Sequence, residues 1–134
     1  MAISLDIILC KRNVPTSHSI DRKEGLVISR LWGPVTEDEI HEHNQRLRTD
    51  PAFDPTYRQL VDLTGVTEIV VGTKVIVDTA QDQFFAPGAR RAIVASSDAA
   101  FGMARMFALR AESLGQRIEV FRDPKEAQDW LDSF

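Results

Sequence analysis

The order of apolar and polar positions divides the chain into short strands and helices. Residues 3 to 9 place Ile3, Leu5, Ile7 and Leu9 on one side, with Ile8 interrupting the alternation, which predicts a short strand. A polar connection containing Pro15 follows. Ser17 to Asp21 and Leu26 to Gly33 flank Arg22-Lys23-Glu24-Gly25 and read as a hairpin, with Gly25 supplying a turn position. Thr36 stands three residues before Glu39, the spacing of a capping box, and Val35 and Ile40 occupy the positions of a hydrophobic staple. A helix is therefore expected to run to Arg48, with Ile40, His43 or Asn44, and Leu47 facing inward. Asp50-Pro51 ends it, because a residue before proline avoids the helical region.

Arg58 to Leu63 predicts a strand whose Leu60, Val61 and Leu63 suit a central position covered on both faces. A second helix is expected from Thr73 to Gln83, using Ile76, Val77 and Ala80, before Phe84-Phe85-Ala86-Pro87-Gly88 breaks the chain. Arg90 to Ser96 is the next strand. Ser97 or Asp98 then caps a long helix that runs to Leu114, with Gly115 stopping it. Ala100, Ala104, Phe107, Ala111 and Leu114 share its inner face, joined by Met103, while Met106 and Leu109 fall outside it. Arg117 to Phe121 is the last strand. Asp123, Pro124 and Glu126 open a closing helix that turns Ala127, Trp130, Leu131 and Phe134 inward. The alternation predicts an α/β fold: a mixed, largely parallel sheet with an N-terminal hairpin and about four helices. With no repeat or linker, residues 1–134 are expected to form a single domain, with 1–16 as an N-terminal extension.

Composition narrows the function. The 134 residues carry 16 basic and 20 acidic side chains, a net charge of −4, and Arg90-Arg91 is no basic patch. Nucleic acid is not expected as a partner. The single cysteine, Cys10, excludes an internal disulfide and fits a reducing compartment. The opening MAISLDIILC has no basic residue ahead of its short apolar run, and Leu9 stands where a lipoprotein cleavage site needs a small residue. No run approaches the roughly 20 apolar residues of a membrane span. A soluble cytoplasmic protein is the expectation.

Candidate chemistry is sparse. His41 and His43 lie two apart on a helix and point in different directions, and His18 sits in a strand with no partner identifiable from spacing. There is no Cys/His cluster for a metal, no G-x-S-x-G elbow and no glycine-rich phosphate loop, so neither metal, cofactor nor catalytic residue is assigned. Open α/β sheets bind beyond the carboxyl ends of their strands. That rule nominates Asp62, Thr64 and Gly65, then Ser96, Ser97 and Asp98, then Arg122, together with the helix start at Gly72 and Thr73. Taken singly, Ser97, Asp98 and Asp123 are adequately explained as helix caps; taken together, the group marks a binding edge. A second, apolar set comprises Phe84, Phe85, Phe101, Met103, Met106 and Phe107 as candidates to line a cavity. Met106 and Leu109 on the outer helix face point to a protein contact, a homodimer included.

Three stretches carry a family resemblance: DPAFDPTYRQLVDLTGVTEI (50–69), FFAPGARRAIVASSDAAFGMARMF (84–107) and IEVFRDPKEAQDWL (118–131). From residue 17 to the end the chain resembles the SpoIIAA-like branch of the STAS superfamily. The resemblance implies an anti-sigma-factor-antagonist-like α/β fold, also likened to CRAL-TRIO lipid-binding domains. It implies a bacterial regulatory module that docks a partner kinase without catalysis, switched by a serine in a D-S-[ST]-G turn. On this chain that turn falls on Ile69-Val70-Val71-Gly72-Thr73, and Val70 and Val71 replace the aspartate and serine. Thr73 is the nearby hydroxyl and is expected to cap a helix. The implied function is a non-enzymatic regulatory or protein-binding module lacking the usual phosphoacceptor serine. The alternatives are a carrier of a lipid or small apolar ligand in a CRAL-TRIO-like cavity, and an enzyme of unknown class.

Overall fold

The computed structural model describes residues 16–133. The strand read over residues 3–9, Cys10, and Phe134 lie outside them. Among the described residues, five strands form one sheet in the order β1 (Thr16–Asp21), β2 (Leu26–Thr36), β3 (Arg58–Val70), β4 (Arg90–Val94) and β5 (Arg117–Phe121). The hairpin β1–β2 is antiparallel and every later neighbour is parallel. Helices α1 (Glu37–Arg48), α2 (Thr73–Gln81), α3 (Asp98–Glu112) and α4 (Pro124–Asp132) connect or follow the strands. The expected mixed, largely parallel sheet with four helices is the architecture observed.

Two apolar layers flank the sheet. On one face Val61, Ile93 and Ile118 meet Ala80 of α2 and Ala104, Ala108 and Ala111 of α3. On the same face Val27 packs with Leu47 of α1 and with Phe85. The opposite face buries Ala92 and Val94 against Ala127 and Leu131 of α4. Neighbours Leu60 and Val61 thus point into different layers, as the period of two requires, and β3 is covered on both sides.

Local signals place the helix starts. Glu39 accepts hydrogen bonds from the Thr36 backbone N–H and hydroxyl, both at 2.7 Å. Acidic Glu37, Asp38 and Glu39 open α1 and basic Arg46 and Arg48 close it, which suits the helix dipole. The Ser97 hydroxyl accepts from Ala100 N–H at 3.1 Å, and Asp123 accepts from Lys125 N–H at 3.3 Å.

Strand and helix ends correct several expectations. β3 does not stop near Leu63 but runs to Val70, and β2 runs past Gly33 to Thr36 because the two pair with each other beyond β4. Their register shifts on either side of Gly33, whose φ of 69° lies in the left-handed region that glycine adopts cheaply. Gly65 sits on Trp32 within this ribbon; a side-chain Cβ there would lie 3.0 Å from the Trp32 Cβ. Thr73 is not a cap: Gly72 occupies the N-cap position and Thr73 is the first helical residue. The long helix ends at Glu112, so Leu114 leaves its inner face and is 42% exposed. Gly115, at φ 94°, makes the turn that follows.

Candidate functional site

The nominated binding edge separates into two parts. Asp62, Thr64, Ser96, Asp98 and Arg122 come together where the ends of β4 and β5 meet the middle of β3. Asp62 accepts from the Thr64 hydroxyl at 2.6 Å and from its N–H at 2.9 Å. The Ser96 hydroxyl reaches the Thr64 carbonyl at 3.5 Å. Arg122 donates to the Ser96 carbonyl at 3.3 Å, pairs with Asp98 at 2.8 Å and lies 4.3 Å above the Phe101 ring. Each polar group of this edge therefore already has an internal partner, and Ser97 is engaged as a cap. Gly72 and Thr73 stand apart. The β3 residues 65–70 carry the chain roughly 20 Å beyond Thr64 at about 3.3 Å per residue before α2 begins.

The apolar candidates divide as well. Phe84, Met103 and Phe107 line a cavity, whereas Phe101 lies under Arg122, and Met106 and Leu109 are exposed on the outer face of α3. The cavity, about 160 Å³, fills the space over the sheet between α1, α2 and α3. Its position follows from packing: α2 rests on α3, while α1 rests on β1 and β2 and hardly meets α2. Ile40 and His43 of α1 face Val75, Ile76 and Thr79 of α2 across it. Val66 and Ile69 of the extended β3 wall the far end. The segment expected to carry a switch turn is thus the wall of a cavity.

The cavity floor is polar. A row of side chains crosses the sheet beneath it: Gln59 donates to the Ser29 hydroxyl at 3.0 Å, and Arg91 Nε donates to Gln59 Oε1 at 2.9 Å. Arg91 Nη1 donates to Gln116 Oε1 at 3.2 Å, and the Gln116 amide donates to the Phe85 carbonyl at 3.3 Å. The Arg91 guanidinium stacks 4.4 Å from the Phe85 ring and 5.8 Å from that of Phe107. Burial lowers its pKa to about 10, so it stays charged at neutral pH. It lies deep in the protein yet keeps some accessible surface, and that surface borders the cavity. Asp82, the carboxylate on the cavity wall, pairs with Arg48 instead.

His43 completes the polar lining. Its Nδ1 lies 3.0 Å from Asn44 Oδ1, which makes Nδ1 the protonated nitrogen, and its buried Nε2 has no partner among the described residues. Burial, with smaller contributions from His18, Arg91 and Arg46, lowers its pKa to about 4 although the Asn44 bond opposes the shift. His18, for which spacing suggested no partner, bonds Asp50 at 2.8 Å, and that bond holds the Asp50 carboxyl below its ordinary pKa. Arg91 was missed as a site residue because it reads as half of a surface basic pair; its strand parity beside Ala92 is the signal that it points inward.

A solved structure of similar shape is an uncharacterized protein of the DUF3478 family with a SpoIIAA-like fold from Shewanella loihica PV-4. It shares 17% identity, covers 87% of this chain and 93% of its own, and superposes with a TM-score of 0.55. The chain has a SpoIIAA-like fold. No family profile and no curated protein matches it. Among the described residues, no helix of this SpoIIAA-like domain is long and apolar enough to cross a membrane, and no group of His, Cys, Asp and Glu side chains could hold a metal.

Proposed function

We propose that the chain is a non-enzymatic, STAS-type binding module that engages a protein partner without the phosphoserine switch. The observation carrying this reading is the tip of the β2–β3 ribbon. Val70, 54% exposed, ends β3 where the switch turn of the resembled family would lie, and Val71-Gly72 leads directly into α2. An exposed valine at that place offers an apolar contact and no phosphoacceptor. Met106 and Leu109, 42% and 60% exposed on α3, supply further apolar contact area for a partner or a second copy of the chain. The family resemblance and the single cysteine support a bacterial cytoplasmic setting. A catalytic reading needs a nucleophile beside a base. Among the described residues, the titratable side chains of the cavity are neutral His43, cationic Arg91 and an Asp82 already paired with Arg48, so binding takes precedence.

The test is capture by the immobilised chain from a bacterial lysate, with Val70→Glu and Leu109→Glu as comparisons. A protein retained by the wild type and lost from both variants is the expected result; identical captured sets overturn the reading. Light scattering of the same variants shows whether the partner is a second copy, since self-association raises the mass above 15.1 kDa. Incubation with an anti-sigma kinase is expected to leave Thr73 unmodified, and phosphate on Thr73 would restore the switch.

A further inference from the structure

Arg91 is a partly buried charged side chain on the floor of the cavity, with no carboxylate partner among the described residues. Its hydrogen bonds go to the neutral amides of Gln59 and Gln116, which leaves three of its five N–H groups without an acceptor among the described residues. Buried charges are normally paired, because an ion removed from water is strongly disfavoured. Here Gln59, Gln116 and the Phe85 and Phe107 rings hold the guanidinium in one place without neutralising it. Directly over it lies an apolar cavity walled by Leu31, Val61, Ile93, Phe107 and Ile76. A fixed cation at the floor of an apolar chamber selects one kind of guest: a single negative charge on a compact apolar body.

We propose that this cavity binds a small monocarboxylate, with its carboxylate on the Arg91 guanidinium and its tail among the aliphatic walls. The planar guanidinium matches a carboxylate with two parallel hydrogen bonds. A phosphate dianion fits less well, since one cation and neutral amides would leave its second charge buried and unpaired. Size sets the tail. A cavity of about 160 Å³ is close to the roughly 150 Å³ that holds one benzene ring, so the tail has about six to eight carbons. This inference goes beyond the partner surface and does not depend on it: the ligand occupies the inner side of the 66–75 segment, and the partner meets the outer side.

Calorimetric titration of the full chain at pH 7 with octanoate and with 1-octanol tests the proposal. Octanoate is expected to bind saturably and about tenfold or more tightly than octanol, since the charged hydrogen bonds are the difference. Arg91→Gln is expected to weaken octanoate by about 10- to 100-fold and to leave octanol unchanged. Val75→Trp, at a partly exposed lining position of α2, is expected to block both ligands and keeps the test alive if Arg91→Gln does not fold. The proposal is overturned if octanoate does not bind, if octanol binds as tightly, or if either folded variant binds octanoate like the wild type. Val70→Glu and Leu109→Glu should bind octanoate normally, so a failed partner capture and a failed cavity remain distinguishable.

Discussion

Acidification should weaken this fold through His43. The imidazole is 6% exposed, donates Nδ1–H to Asn44 and is held neutral, with burial lowering its pKa from 6.5 to about 4. In the unfolded chain the same group returns to its ordinary value. Between pH 7 and pH 4 the unfolded state therefore takes up a proton that the folded state refuses, and the equilibrium moves toward unfolding. His43 contributes stability that is fully present above pH 6.5 and is lost as the pH falls to about 4. Each tenfold difference in proton affinity is worth about 1.4 kcal/mol, so the whole contribution is about 3 kcal/mol and about 2 kcal/mol disappears between pH 7 and pH 5. Urea unfolding at several pH values across that window measures it, compared with His43→Leu, which keeps an apolar side chain of similar bulk at the cavity wall. His18 and His41 are common to both proteins, so the difference between the two profiles reports His43 together with its coupling to His18, whose ring lies 6.3 Å away. The wild type should lose about 2 kcal/mol more than the variant over this interval. Parallel profiles would refute the reasoning and show that His43 takes up its proton in the folded state at the ordinary pH.

Two further outcomes test the ribbon and the helix starts. Gly65→Ala places a Cβ 3.0 Å from the Trp32 Cβ, forcing β2 and β3 apart, and is expected to destabilise by about 1–3 kcal/mol in thermal unfolding. An unchanged melting temperature would mean that the ribbon relaxes freely. Ser97→Ala removes the acceptor for the Ala100 N–H at the start of α3 and should cost about 1 kcal/mol, read by urea unfolding.

Helix starts and the layer pattern were legible in the chain itself because their causes are local. Thr36 with Glu39, Ser97 with Ala100, and Asp123 with Pro124 and Lys125 act within three residues, and these local bonds form as expected. The inward positions of Ala100, Ala104 and Ala111 on α3 follow from helical spacing alone, and the outward position of Met106 and Leu109 with them, whereas Ala108 is buried outside the expected stripe and Leu114 falls away from it. Element ends were less legible. Nothing within Leu63 to Val70 says that the strand continues; what holds it is pairing with residues 32–36 of β2, some thirty positions earlier. That pairing turned an expected switch turn into a cavity wall and moved Gly72 and Thr73 away from Asp62. The polar floor is decided the same way. Ser29, Gln59, Arg91 and Gln116 are spaced 30, 32 and 25 residues apart, and only the parallel register of β2, β3 and β4, with Gln116 beside β5, sets them in one row. Local hydrogen bonds and periodicity thus determined which segments would be strands and helices. The tertiary structure decided where a charge lies without a counter-ion among the described residues, because that depends on which distant side chains the sheet register brings to it.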